Sequence, residues 1–340
     1  MRTLKVGVIG LGFMGYRYSA IFRELPTAEL VAVADIREEV GRKMAAVNGA
    51  EYMSDGMELI RRSDIEAVAV CTPEDHHVEY CLEAIGLGKA VLVEKPISHT
   101  VETAEQITRA ARQKGATLMV GHTLRFSPAW IHAKEQILAG EIGDVKTIRT
   151  KRVGLISNNK GWLEGRTSVA LFYGVHDLDI QRWFAASEPI TVYAQANYGI
   201  LSQYGYAVED VLWVFTRFQN GVLGVAELGW HYPDTFGGDR GPLVEVIGTR
   251  GSLAIFQSPD LVVVSEKEAM ITDTRYAPVL YGLTKGAWQF QLEHFVHCAL
   301  TGEVPRVTGE DGTEALRLSL AASQSAREGS VIHLPNRPCV

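Results

Sequence analysis

From Lys5 to Val120 the chain alternates between short apolar runs and longer stretches of helical spacing. Lys5–Ile9, Leu30–Ala34, Ala67–Cys71, Ala90–Val93 and Leu118–Val120 are too short for helices and almost free of polar residues. Runs of that kind predict strands buried on both faces. Between them lie the helical stretches Tyr16–Leu25, Glu38–Val47, His77–Leu87 and Val101–Lys114. The last carries its own boundaries: Thr100 at the N-cap, Glu102 in the first turn and Gly115 just past the end. Strands and helices in alternation predict a parallel, doubly wound sheet. Ligands of such sheets bind outside the carboxyl ends of the strands. That rule gathers Gly10–Gly15, Asp35, Cys71-Thr72-Pro73, Glu94-Lys95-Pro96 and Gly121–Arg125 onto one rim.

After Phe126 the pattern changes. One more helical stretch, Ala129–Ala139, leads to strand-like alternation at Val192–Tyr198, Val211–Phe218 and Val222–Leu228. Gln219-Asn220-Gly221 joins the last two as a hairpin turn, and Gly248-Thr249-Arg250-Gly251 joins Leu243–Ile247 to Ser252–Phe256. Two helical stretches, Trp288–Leu300 and Gly312–Arg327, follow. The second half is therefore expected to be an α+β domain on an open, mainly antiparallel sheet. An open sheet face needs a cover, and self-association is the expected one.

The first strand runs directly into Gly10-Leu11-Gly12-Phe13-Met14-Gly15, and Asp35 stands at the end of the second strand. GxGxxG alone is weak, but here it follows a strand, opens a helix and has an acid about twenty residues on. One glycine allows the tight turn, one lets the backbone approach a pyrophosphate, and one lets helix pack on strand. The helix N-terminus supplies free N–H groups and a positive dipole end to the phosphates. A carboxylate at Asp35 accepts ribose hydroxyls and repels a 2′-phosphate, so NAD is the expected dinucleotide. Ile36 and Arg37 follow it at the adenosine end, and the arginine keeps NADP open as the second choice.

Composition narrows the partners. A net charge of -7 without a basic run excludes nucleic acid and anionic membrane surfaces as expected partners. No apolar run approaches the roughly 20 residues of a membrane helix. Cys71, Cys81, Cys298 and Cys339 form no CxxC pair, which fits reduced thiols in a cytoplasmic protein. The first strand begins almost at the N-terminus, leaving no room for a signal peptide. His76, His77, His122 and His231 lack metal-ligand spacing, so no metal is expected.

Two positions carry chemistry. Lys95 follows the buried run Val91–Val93 and reaches the rim where a nicotinamide lies. There it can hydrogen-bond a substrate oxygen, with Glu94 to orient it. His176 lies in Ser168–Trp183, which reads as one helix capped by Thr167 or Ser168, with Phe172 and His176 on one face at i, i+4. A histidine there suits a general base that removes a hydroxyl proton as hydride leaves. Gly174 inside that helix implies a close approach by something bulky, and Asp177 and Asp179 read as structural acids holding the helix or an arginine. Lys151–Arg166, with Arg152, Trp162 and Arg166, reads as a basic loop beside the site, able to hold an anionic substrate group.

Residues 5–15, Cys71-Thr72-Pro73 with His77, Glu94-Lys95-Pro96, Gly121–Phe126, Gly174–Asp179 and Val304–Gly312 together resemble the Gfo/Idh/MocA family of oxidoreductases, over almost the whole chain. The resemblance implies an α/β fold: a Rossmann domain at 1–122 and a substrate-binding, oligomerising α+β domain at 123–340 that forms dimers or tetramers through its sheet. It implies NAD(P) and a sugar or cyclitol substrate. It makes Lys95 the catalytic lysine and His176 the catalytic histidine, and puts Cys71, Thr72, Pro73, His77, Glu94 and Arg125 beside the cofactor with Gly10, Gly12, Phe13, Met14, Gly15 and Asp35. Relatives carry an aspartate four residues before the histidine, where this chain has Phe172. A phenyl ring accepts no proton, but it can stack on a sugar ring; Tyr173 and Asp177 are the neighbours that can replace the missing acid, although neither lies on the helical stripe of Phe172 and His176.

The expected function is hydride transfer between a secondary hydroxyl of a sugar, glycoside or cyclitol and NAD, with Lys95, Arg152, Trp162, Arg166, Phe172, Tyr173 and His176 facing the substrate. The alternative is a redox-neutral glycoside hydrolase that oxidises, eliminates and re-reduces on the same NAD. A non-enzymatic NAD and sugar sensor is the third reading, opposed by the presence of both Lys95 and His176.

Overall fold

The computed structural model describes residues 2–156, 168–233, 235, 241–257, 262–264, 269–271 and 275–336. They form two compact units. Residues 2–127 and the described part of 260–313 make the first, and 128–257 with 314–336 make the second. The described part of 260–313 thus groups with residues 2–127.

In the first unit the elements alternate as β1 (Leu4–Ile9), α1 (Phe13–Glu24), β2 (Ala28–Ala34), α2 (Glu38–Asn48), β3 (Glu51–Met53), α3 (Gly56–Arg61), β4 (Ala67–Val70), α4 (His77–Gly86), β5 (Ala90–Val93), α5 (Val101–Lys114) and β6 (Leu118–Val120). The strands make one parallel sheet in the order β3-β2-β1-β4-β5-β6. Every residue of β4 and β5 is buried, as the continuous apolar runs require. The order reverses between β1 and β4, which pair Ile9 with Val70, and the crevice beyond them is where such sheets bind nucleotides. Helix α5 has the boundaries its sequence announces: Thr100 Oγ1 accepts the Thr103 N–H, and Gly115 takes a φ of +62°. The reading missed β3 and α3, which are three and six residues long. Elements that short carry no usable period, and α3 owes its start to the Asp55 carboxylate accepting the Met57 N–H at 2.7 Å.

The second unit holds α6 (Pro128–Leu138), β7 (Val145–Leu155), α7 (Val175–Ala185), β8 (Pro189–Asn197), β9 (Val211–Phe218), β10 (Leu223–Tyr232), β11 (Gly241–Gly248) and β12 (Ser252–Gln257). Two short hairpins follow, β13 (Val262–Val264) with β14 (Ala269–Ile271) and β15 (Val279–Leu280) with β16 (Leu283–Thr284). The chain ends in α8 (Ala287–Thr301), α9 (Gly309–Glu328) and β17 (Ile332–His333). The second sheet has seven strands in the order β12-β11-β7-β10-β9-β8-β17. Its one parallel pair is β7 with β10, so it is mixed and mostly antiparallel.

One face of that sheet packs its Val192, Ala194, Leu212, Val214, Ala226 and Leu228 against Leu178 of α7 and Leu318, Ala321 and Ala322 of α9. The register sets Tyr193, Phe215, Val225, Arg149 and Glu245 in a row on the opposite face. There Phe215 is 48% exposed and Trp213 37%. Strand β7 corrects the loop expected from Lys151: residues 151–155 belong to it. Its charges misled because an open sheet face tolerates them. Arg149, for one, bonds the facing Glu245 at 3.0 Å while its neighbours Ile148 and Thr150 are buried.

Candidate active site

The turn after β1 is built from what its glycines exclude. Gly10 takes a φ of +84°, and a Cβ there would lie 2.7 Å from the Thr72 nitrogen. A Cβ on Gly15 would overlap the Gly10 carbonyl oxygen, so the first turn of α1 closes on the loop only with glycine there. Gly12 differs: its Cβ would meet nothing within 4 Å, leaving room for a ligand against the backbone. Helix α1 begins without a side-chain cap or an acid in its first turn. Its N–H groups and positive end are free to receive an anion. Phe13 carries the Arg17 guanidinium 3.5 Å above its ring and meets Trp288 edge-on, so its outer face is a surface stack. Met14, next along the loop, is half-buried.

Asp35 ends β2 and is buried. Its Oδ2 accepts the Leu11 N–H at 2.8 Å, which ties the acid to the glycine turn. Arg37 folds back with its N–H and Nε on Oδ1 at 2.9 and 3.0 Å and its Nη2 on Oδ2 at 2.9 Å. Burial raises the carboxyl, but the Arg37 and Leu11 donors outweigh it and hold Asp35 below the ordinary carboxylate range. Ile36 between them is 90% exposed.

Beyond β4, the Thr72 Oγ1 is buried and has no hydrogen-bond partner among the described residues. A buried hydroxyl without a partner is costly, and a bound dinucleotide at this rim supplies one. Burial and then the Glu94 charge push the thiol of Cys71 beside it well up. These features, with the open Gly12 and the uncapped α1, fit a dinucleotide.

Beyond β5, Glu94 turns inward. Its Oε1 accepts the Tyr18 hydroxyl and its Oε2 the Lys95 N–H at 3.2 Å. Tyr18 accepts in turn from Gln291 Nε2 at 2.6 Å, and the Thr123 hydroxyl donates to Gln291 Oε1 at 2.6 Å. Burial pushes the Glu94 carboxyl up, opposed by Tyr18 and Lys95, and pushes Tyr18 well up in concert with the Glu94 charge. The orientation expected of Glu94 is thus exerted on the Lys95 backbone. His77 opens α4 with both ring nitrogens against backbone carbonyls, at Thr72 and Pro96. Arg125 is buried with its Nη2 on Asp311 at 3.3 Å, where Thr308 and Asp311 cap α9 reciprocally.

In the second unit the expected helix over Ser168–Trp183 forms with a correction. Ser168 caps it by accepting the Leu171 N–H at 3.2 Å, but Ala170–Gly174 is a π-turn and α7 starts only at Val175. The wider turn replaces the regular i, i+4 stripe drawn from Phe172 to His176. Phe172, half-buried, packs with Tyr173 and the fully buried Trp230, with ring centroids 5.1 to 5.3 Å apart. Gly174 admits Leu228 of β10, whose Cδ1 would lie 3.2 Å from a Cβ there. Asp177, fully buried, is the structural acid expected and accepts Nε of Arg152. Asp179 is buried as well. Trp162 and Arg166 lie outside the described residues.

The structure brings the glycine turn to Asp35 and Thr72, Glu94 to the Lys95 N–H, and His77 to the Pro96 carbonyl. His176 follows the aromatic cluster on the other unit. Sequence reasoning missed Tyr18, Gln291, Asp311 and Trp230, which come from distant segments. The signal that points to one of them is the capping spacing from Thr308 to Asp311, which the structure confirms as a reciprocal cap.

Comparison with known proteins gives a consistent result. A family model described as "Oxidoreductase family, NAD-binding Rossmann fold" matches residues 4–122, and one for the "GFO/IDH/MocA C-terminal domain" matches 130–254. The chain is 29% identical to the scyllo-inositol 2-dehydrogenase (NAD(+)) of Bacillus subtilis, covering 97% of this chain and 96% of that one. It is 27% identical to the myo-inositol 2-dehydrogenase of Thermotoga maritima, covering 97% and 98%. The crystal structure of a probable dehydrogenase from Thermotoga maritima superposes with a TM-score of 0.83 at 26% identity, covering 97% and 99%.

Proposed function

The chain belongs to the Gfo/Idh/MocA family of NAD-dependent oxidoreductases acting on CH–OH groups, and from that premise we propose that it oxidises a ring secondary hydroxyl of a cyclitol or sugar. The observation that carries this reading is Glu94-Lys95-Pro96 at the carboxyl end of β5, with the Lys95 backbone anchored by Glu94 next to the dinucleotide rim. The inositol dehydrogenases among its relatives, matched over nearly their full length, support a polyhydroxylated ring as substrate.

Gly12 and the α1 N-terminus hold the pyrophosphate, Asp35 the adenosine ribose and Thr72 a polar group at the rim. NAD bound there supplies the hydride acceptor. Lys95 donates a hydrogen bond to the substrate oxygen and stabilises the alkoxide that develops on it. His176 takes the hydroxyl proton. Arg37 is already folded onto Asp35, so NAD is preferred over NADP. Phe172 in place of the family aspartate favours stacking against a ring, and keeps a redox-neutral glycoside hydrolysis as the second reading. The apolar centre of the open sheet face, at Trp213 and Phe215, supports self-association as a dimer or tetramer. No described helix is long and apolar enough to cross a membrane. The free thiols at Cys71, Cys81 and Cys298 support a cytoplasmic location.

The test incubates the protein with NAD and a panel of inositols, sugars and glycosides while following reduced-nicotinamide absorbance. NADH accumulates with at least one cyclitol or sugar, and Lys95→Met lowers kcat by about 100-fold or more. Aglycone release without NADH establishes the second reading instead, and normal turnover by Lys95→Met removes the lysine from its role.

A further inference from the structure

Two buried side chains grip the backbone around Lys95 from opposite sides. Glu94 Oε2 accepts the Lys95 N–H at 3.2 Å. On the other side, Nδ1 of His77 lies 3.0 Å from the Pro96 carbonyl oxygen, while its Nε2 lies 2.8 Å from the Thr72 carbonyl oxygen. The ring is 1% exposed, so it spans the loops after β4 and β5 shielded from water. The two strands are already paired through Val70 and Val93. The ring therefore adds no register to the sheet; it links the two loops just beyond the last paired residues. Carbonyl oxygens only accept, and a neutral imidazole carries one ring N–H, so the ring donates to one of the two carbonyls at a time. Burial favours that neutral ring and holds His77 below the ordinary histidine range, against the carbonyls and the Glu74 charge that pull it up.

We propose that His77 is a positioning residue for the reaction: by donating its Nδ1–H to the Pro96 carbonyl from the start of α4, it fixes the direction in which Lys95 leaves the backbone. Glu94 fixes the preceding N–H. The proposal rests on the reading of Lys95 as the catalytic lysine, and it requires no contact between His77 and substrate or dinucleotide. It reassigns His77 from cofactor contact, the role its motif suggested, to a link beneath the rim.

Two amide variants separate the two contacts. Asparagine places its amide nitrogen near the position of Nδ1, and glutamine near that of Nε2. His77→Asn keeps the Pro96 link and loses the Thr72 link; His77→Gln does the reverse. With NAD and scyllo- or myo-inositol, His77→Asn keeps kcat within about threefold, whereas His77→Gln loses about 10- to 100-fold in kcat with the KM for NAD changed by less than about threefold. A second arm needs no substrate. Lysines are reductively methylated with 13C, the Lys95 resonance is assigned by its loss in Lys95→Arg, and it is titrated in both variants. The resonance and its titration midpoint move in His77→Gln and stay in His77→Asn. Lack of turnover of either inositol by the wild type counts against the proposed function, while the resonance still reports on the lysine. Equal loss of kcat in both variants with lowered Tm, or a Lys95 resonance unmoved in both, overturns the positioning role.

Discussion

The two units carry their chemistry in opposite ways. In the first, the site is made of backbone: glycines whose missing Cβ atoms leave room, an uncapped helix end, and loops held by Asp35, Glu94 and His77. In the second, the candidate residues are side chains around a π-turn: Phe172 and Tyr173 packed at an angle on Trp230, then His176 and the Arg152–Asp177 pair on α7 and β7. A backbone site tolerates few substitutions and recurs as a recognisable string. A side-chain cluster on a regular scaffold accepts replacements such as Phe172 while the fold persists. The family model for the NAD-binding Rossmann fold covers only the backbone-built unit.

The largest effects should come from adding one methyl group to the backbone site. Gly15→Ala forces a Cβ into the Gly10 carbonyl and opens the turn. NADH affinity, followed by fluorescence titration, should fall by at least about 100-fold, or about 2.7 kcal/mol. Gly12→Ala sharpens the contrast, because its Cβ meets nothing in the protein. Its Tm should equal that of the wild type while NADH binding weakens by about tenfold or more. Normal NADH affinity in Gly12→Ala would mean that the open space beside Gly12 is not where the pyrophosphate lies.

A comparable perturbation of the second unit should act on stability and leave the nucleotide alone. Arg152→Met removes the guanidinium from Asp177, whose carboxylate is fully buried. An uncompensated buried charge costs about 3 to 5 kcal/mol, and the Arg152 side chain is partly exposed, which favours the lower figure. Urea unfolding should show a loss of about 3 kcal/mol with NADH affinity unchanged. Removing both partners in Arg152→Met/Asp177→Leu should recover most of it. A single variant as stable as the wild type would show that Asp177 draws its stabilisation from elsewhere.

Legibility in the sequence follows the same division. The strands β1, β2, β4, β5 and β6 and the helices α1, α2, α4 and α5 were readable because continuous apolar runs and caps such as Thr100 and Gly115 are local signals. The hairpin at Gln219–Gly221 was readable for the same reason. Strand β7 was half hidden because Lys151 and Arg152 sit where a loop and an open sheet face look alike. The π-turn was invisible: no residue type encodes one extra residue per turn, so the spacing from Phe172 to His176 was drawn on the wrong helix. Glu94 and His77 were found as a motif, but their partners Tyr18, Gln291 and the Thr72 carbonyl were not, since no local spacing links those residues to the motif.

The smallest effect distinguishes two acids on the edge of one sheet. Asp35 has a folded-state pKa below its unfolded value, so its contribution to stability is present above the ordinary carboxylate range and is lost as pH falls through the folded value. Glu94 has the opposite sign. Burial raises its folded pKa, so its contribution is fully present below the ordinary carboxylate range and is lost as pH rises through the folded value. Above that value the protein holds a buried charge at a net cost. Glu94→Gln removes the charge and keeps an acceptor for the Tyr18 hydroxyl or the Lys95 N–H. Its Tm should exceed that of the wild type by about 1 to 3 °C at mildly alkaline pH, and the gap should close as pH falls to the carboxylate range. The Tm of Asp35→Asn should fall below that of the wild type near neutrality, and that gap should close on acidification as well. Scanning calorimetry across pH reads both. A Glu94→Gln protein less stable than wild type near neutrality would mean that the Tyr18 and Lys95 hydrogen bonds outweigh burial. The carboxylate would then stabilise the fold directly, and the first unit's buried charges would resemble the Arg152–Asp177 pair of the second.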